Sequence, residues 1–152
     1  MPDFSSATYR LTSNPATAGF HKTSDQTQPL RVAVNGFGRI GRNVLRALLE
    51  RFEVLGRAIH VVAINDLAPA ETLLHLLRFD STHGRLSQLG VTADIVQDGF
   101  TDHQQKPCAT AKNDIQLCLT KNNLTYCIRL LSRENPETLP WEDLQVDVVL
   151  EC

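Results

Sequence analysis

Gly36, Gly38 and Gly41 stand at G-x-G-x-x-G spacing, directly after the run Arg31-Val32-Ala33-Val34 and directly before an apolar pattern of helical period. That succession narrows this stretch to a strand, a tight turn and a helix lying close against the strand. The first glycine makes the turn, the second lets backbone approach a pyrophosphate, and the third lets helix pack on strand. Each role needs the absence of a Cβ. A helix starting there presents unpaired backbone N–H groups and the positive end of its dipole to an anion. The ligand this arrangement suits is NAD or a relative.

A glycine triplet also serves ordinary turns, so its surroundings carry the argument. Val32 and Val34 alternate with small or polar neighbours, and Ile40, Val44, Leu45, Leu48, Leu49 and Phe52 recur at helical spacing. The run Ile59-His60-Val61-Val62-Ala63-Ile64 then reads as a parallel strand covered on both faces. It ends at Asn65-Asp66, where a carboxylate is placed to meet an adenosine ribose. A charge there repels the extra phosphate of NADP, which favours NAD. Asp66 has a second reading, as a cap for the next helix, where Pro69 suits an early position and Leu73, Leu74, Leu76 and Leu77 make an apolar face. The two roles are compatible.

Four ordered blocks carry a family resemblance. Val34-Asn35-Gly36-Phe37-Gly38-Arg39-Ile40-Gly41-Arg42, Ala63-Ile64-Asn65-Asp66-Leu67, Phe79-Asp80-Ser81-Thr82-His83-Gly84-Arg85, and Leu139-Pro140-Trp141 before Val146 to Cys152 resemble the phosphorylating glyceraldehyde-3-phosphate dehydrogenases. Erythrose-4-phosphate dehydrogenases share most of this pattern. The Asp-Ser-Thr-His-Gly block disfavours other Rossmann oxidoreductases such as semialdehyde or hydroxyacid dehydrogenases. The resemblance implies that the backbone of Arg39 and Ile40 holds the pyrophosphate, that Asp66 holds the ribose, and that Asn35 and Phe37 lie beside the coenzyme. In Ser132-Arg133-Glu134-Asn135-Pro136 the usual acid-then-base order is inverted. Glu134 therefore occupies the position near the adenine, where a backbone contact survives and one from a basic side chain does not.

The implied chemistry is oxidation of a phosphorylated aldehyde by a thiolate and NAD. The family's Ser-Cys-Thr-Thr-Asn nucleophile setting and downstream histidine do not occur in this chain, so no catalytic residue is assigned. The chain is expected to be the NAD-binding part of such an enzyme, truncated after a buried strand at Val146 to Cys152. The alternative is a non-catalytic nucleotide-binding module. The complete enzyme is expected to be a cytoplasmic homotetramer. Cys108, Cys118, Cys127 and Cys152 lack zinc or redox spacing and no signal peptide precedes them, so they are expected to be reduced thiols, with Cys118 and Cys127 packed in strands. His83 reads as a loop-shaping residue, and His21, His60, His75 and His103 show no metal-ligand spacing.

A net charge of −2 with interspersed signs gives no footprint for nucleic acid or an anionic membrane, and no apolar run approaches a bilayer span of roughly 20 residues. Residues 1–29, rich in Ser, Thr, Ala and Gln, read as a disordered extension, with only weak likeness to a transit peptide. Residues 30–152 read as a partial NAD-binding domain with a surface insertion at about 87–113. Ile115 to Thr120 and Thr125 to Leu131 flank Lys121-Asn122-Asn123-Leu124 as a β-hairpin. Trp141 reads as a packing anchor. The fold class expected is α/β, a Rossmann-type parallel sheet with an antiparallel hairpin excursion.

Overall fold

The computed structural model describes residues 28–52, 55, 58–97 and 114–152. The expected extension over 1–29 falls almost wholly outside them. Strand β1 (Leu30–Asn35) leads through the glycine turn into helix α1 (Arg39–Glu50), and β2 (Ile59–Asn65) returns parallel to β1, pairing Val34 with Ile64 and Asn35 with Asn65. Helix α2 (Ala70–Arg78) follows, then the short antiparallel pair β3 (Phe79–Asp80) and β4 (Gly84–Arg85). A 3-10 turn at Leu86–Leu89 precedes β5 (Thr92–Gln97), β6 (Ile115–Lys121) and β7 (Leu124–Leu131), and β8 (Val148–Glu151) comes last.

These strands form a six-stranded sheet in the order β5-β6-β7-β2-β1-β8. The four strands β7, β2, β1 and β8 run parallel, and β5 and β6 are antiparallel additions to one side. The hairpin is the expected antiparallel excursion, and it returns directly to the parallel sheet. Its second strand, β7, is itself the parallel neighbour of β2. The two-residue turn works because Asn122 and Asn123 both take left-handed backbone, with φ of 50° and 62°, which asparagine tolerates and which matches the twist of paired strands.

Helices α1 and α2 cover one face of the sheet. Leu45, Leu49, Leu73 and Leu77 pack against Val34, Ile64, Leu117, Leu119 and Ile128. Each such side chain removed from water is worth about 1.5–3 kcal/mol, so this layer fixes where α1 begins. On the opposite face Val62, Ala63 and Leu144 form a smaller cluster with Leu131, Trp141 and Val146, and Trp141 is the packing anchor its setting suggested.

Several expectations need correction. Ile40, in the helical repeat, is 65% exposed because it sits in the first turn of α1, ahead of the part that meets the sheet, and Leu76 also faces solvent. Among the described residues strand β8 pairs with β1 alone and is half-exposed, where a buried strand was expected. Residues 87–97 hold most of a 3-10 turn and the edge strand β5, with Val91 and Ala93 buried. Residues 98–113 lie outside the described residues. Cys118 and Cys127 are joined in a disulfide, because the hairpin register sets them directly opposite one another with Cα atoms 4.1 Å apart. Sequence spacing reported separation along the chain and not this cross-strand register.

Candidate functional site

The C-terminal ends of β1 and β2 carry the glycine loop and Asp66 side by side. Gly36 has φ of +90°, and a Cβ there would lie 2.2 Å from the carbonyl oxygen of Cys152. A Cβ on Gly41 would lie 2.3 Å from the carbonyl oxygen of Gly36 and 3.1 Å from Val34 Cγ1. These two positions are closed by backbone. Gly38 differs, because a Cβ there meets nothing within 4 Å. The sequence role of the second glycine was approach by a ligand, and the space beside it is open.

Gly38 is the N-cap of α1, supplies no side-chain cap, and is followed by a first turn without an acidic residue. Its carbonyl accepts the amide of Arg42 at 3.1 Å, so the amides of Arg39, Ile40 and Gly41 precede the first intrahelical bond. Donors of this kind, aligned with the helix dipole, bind phosphate oxygens. The 3.0 Å bond from Arg42 Nη1 to the Phe37 carbonyl ties the loop to the helix. The Phe37 ring is fully buried in the core and anchors the turn from below, so only its backbone belongs to the loop surface.

Asp66 is joined to that loop. Its Oδ2 accepts the Phe37 amide at 2.7 Å and its Oδ1 accepts the Ala68 amide at 2.9 Å, while its own amide donates to the Leu131 carbonyl at 3.0 Å. A carboxylate has about four acceptor positions, so each oxygen retains capacity for a hydroxyl. The capping alternative takes a reduced form. The N-cap of α2 is Pro69, without a side-chain bond, and Asp66 closes only the turn before it.

Asn35 and Asn65 form an adjoining network. Asn35 Nδ2 donates to Glu151 Oε2 at 2.8 Å, and its Oδ1 accepts Asn65 Nδ2 at 2.9 Å. Buried Asn65 also donates to the Arg133 carbonyl at 3.0 Å and accepts the Arg133 amide at 2.9 Å. This two-way clamp fixes the backbone of Arg133, and exposed Glu134 follows it. The residues Asn35 to Gly41 and Asp66 are brought together directly, and Glu134 is brought to the same edge through Asn65. Sequence reasoning overlooked Asn65; a polar side chain ending an apolar strand was the available signal.

The loop at Asp80 is shaped by its own carboxylate. Asp80 Oδ1 accepts the amides of Thr82 and His83 at 2.9 and 2.7 Å and meets His83 Nδ1 at 3.1 Å. Those bonds, the His83 amide first, lower the Asp80 pKa from 3.8 to about 2. Buried Arg46, also overlooked, donates to the carbonyls of Leu77, His83 and Gly84 at 2.9, 3.0 and 2.9 Å. His83 is thus part of a braced loop, as its surroundings in the sequence suggested. An adjacent cleft of about 270 Å³, lined by Asn43, Arg46, Ala47, Glu50, His83 and Leu89, shares no residue with the glycine loop.

Of the described cysteines, Cys118 and Cys127 are bonded to each other and Cys152 is free. Partial desolvation, and secondarily the charge of Glu151, push the Cys152 thiol up, which keeps it protonated near neutral pH. Among the described residues no three side chains converge as metal ligands, and no helix is long and apolar enough to cross a membrane.

Residues 30–152 match the family model described as glyceraldehyde 3-phosphate dehydrogenase, NAD binding domain. The chain is 42% identical over 125 residues to a glyceraldehyde-3-phosphate dehydrogenase of Xanthobacter flavus. That stretch covers 81% of this chain and 29% of the relative, so the chain spans less than a third of that protein's length.

Proposed function

The chain belongs to the glyceraldehyde-3-phosphate dehydrogenase family as its NAD-binding part, and from that premise we propose that Gly36 to Gly41 cradle the pyrophosphate and Asp66 the adenosine ribose. The observation that carries the reading is the open side of Gly38 beside the uncapped first turn of α1, with the Asp66 carboxylate bonded to the same loop. The amides of Arg39 and Ile40 bind phosphate oxygens. Asp66 accepts ribose hydroxyls and disfavours a 2′-phosphate by charge repulsion. Asn35 orients the network at the coenzyme's edge, and the backbone around Glu134 borders the adenine. NAD, when bound, supplies the hydride acceptor.

Within these residues the function is nucleotide binding without chemistry. The Ser-Cys-Thr-Thr-Asn setting that the family's chemistry uses does not occur in this sequence, which supports a binding module over a self-sufficient catalyst. We assign oxidation of a phosphorylated aldehyde, homotetramer formation and a cytoplasmic setting to the whole protein of which this domain is characteristic. The domain organisation we propose is an extension over 1–29 followed by the NAD-binding domain over 30–152.

Isothermal titration of the folded chain with NAD and NADP tests the reading. Saturable NAD binding with weaker NADP binding is expected, along with no aldehyde-dependent NADH production. A chain that is folded by circular dichroism and binds neither nucleotide refutes it.

A further inference from the structure

We propose that Cys118 and Cys127 form a reversible dithiol–disulfide site that exchanges electrons with low-molecular-weight thiols such as glutathione without unfolding the domain. The hairpin ladder sets the pair opposite one another, from Ile115 against Leu130 to Lys121 against Leu124. Counting from the tight turn, Cys118 and Cys127 occupy a non-hydrogen-bonded pair, the class whose Cα atoms approach most closely in any antiparallel ladder. Backbone pairing therefore brings the sulfurs together whether or not they are bonded.

The cross-link spans a sequence separation of only 9, across a loop that the ladder and the bond between Thr120 Oγ1 and Thr125 Oγ1 already close. Chain-entropy stabilisation by a disulfide grows with the loop it closes, so a link across so short a loop stabilises the fold less than a long-range one would. The main core side chains of these strands, Leu117, Leu119 and Ile128, have the other parity and point away from the sulfurs, into the helix-covered face. Reduction leaves that core packed.

Cys127 is half-buried and Cys118 is buried, which makes Cys127 the sulfur that an incoming thiolate reaches. Attack on Cys127 Sγ breaks the S–S bond and releases Cys118 as a thiolate, which takes a proton from water. A second thiol attacks the mixed disulfide, releases Cys127 and leaves as glutathione disulfide. The net change is two thiols oxidised and one protein disulfide reduced. Oxidation runs the same steps backwards with glutathione disulfide as the oxidant.

The test equilibrates the full chain in glutathione buffers of graded ratio, quenches with acid, alkylates and maps tryptic peptides by mass spectrometry. Trypsin cuts after Lys121, between the two cysteines, so the linked state appears as a joined peptide pair. The expected result is a joint two-electron transition of Cys118 and Cys127, with an unchanged circular dichroism spectrum at both ends. The variant Cys118→Ser is expected to collect one glutathione on Cys127. A pair that stays reduced in excess glutathione disulfide, a link that involves Cys108 instead, loss of structure on reduction, or a Cys118→Ser chain with no adduct on Cys127 each overturns the proposal.

Discussion

Replacing Gly41 by alanine sets two effects against each other, and the structure decides between them. In an exposed helix interior the change stabilises by about 1 kcal/mol, since alanine loses less backbone freedom. Here the new Cβ would lie 2.3 Å from the Gly36 carbonyl oxygen and 3.1 Å from Val34 Cγ1. The first neighbour is backbone, so α1 must retreat from the loop by roughly 1 Å to reach an ordinary contact. Overpacking of this kind costs about 1–3 kcal/mol, and with an inflexible neighbour the cost falls at the upper end. The net is a loss of about 1–2 kcal/mol, and a domain of this size shifts in Tm by about 4 °C for each kcal/mol.

Gly38→Ala is the control. Gly38 has φ of −67° and open space beside it, so a Cβ meets no atom and the only loss is that of a poorer N-cap, about 0.5–1 kcal/mol of apo stability. The methyl group then occupies the proposed pyrophosphate path, and NAD affinity falls by at least roughly tenfold, about 1.4 kcal/mol. Thermal melts followed by circular dichroism, with calorimetric NAD titrations of the same samples, separate the two. If Gly41→Ala melts at or above the parent, close packing of helix on loop is not what Gly41 provides. If Gly38→Ala binds NAD as the parent does, the pyrophosphate does not pass there.

Asp66→Ala leaves the Phe37 and Ala68 amides without their acceptor and is expected to cost about 1–3 kcal/mol in urea unfolding, to weaken NAD and to narrow the preference over NADP; unchanged selectivity in paired titrations would falsify the ribose assignment. Arg46→Ala strips a donor from the carbonyls of Leu77, His83 and Gly84 at a buried site, an expected loss of about 2–3 kcal/mol by the same method, and a neutral result would show that water replaces the guanidinium. The folded Asp80 pKa, at about 2, lies below its ordinary 3.8, so its contribution is complete above that ordinary value and is lost as pH falls from about 3.8 to 2. Melts across that range are expected to fall more gently for Asp80→Asn, and parallel acid limbs would show that the loop bonds do not contribute.

Local features were read correctly because their causes are local. The glycine turn, the strands on either side of α1, the asparagine turn of the hairpin and the position of Asp66 depend on residues a few places apart, where backbone freedom, period and turn chemistry act directly. Ile40 was the instructive exception. Its helical spacing is real, but the first turn of α1 lies beyond the sheet that the rest of the helix covers, so it stays exposed.

The sequence by itself determined that this chain makes a strand–turn–helix–strand unit with a carboxylate after the second strand, and its ordered motifs placed it in a family. Tertiary structure alone decided what meets that carboxylate. The Phe37 amide on Asp66 and the Asn65 clamp on Arg133 join residues 29 and 68 positions apart. Burial of Arg46 depends on carbonyls 31 to 38 positions away, and the Cys118–Cys127 bond depends on which strands pair and in what register. A residue's type limits the partners it can accept, but only the packed sheet, by bringing distant segments into one edge, determines which of them it has.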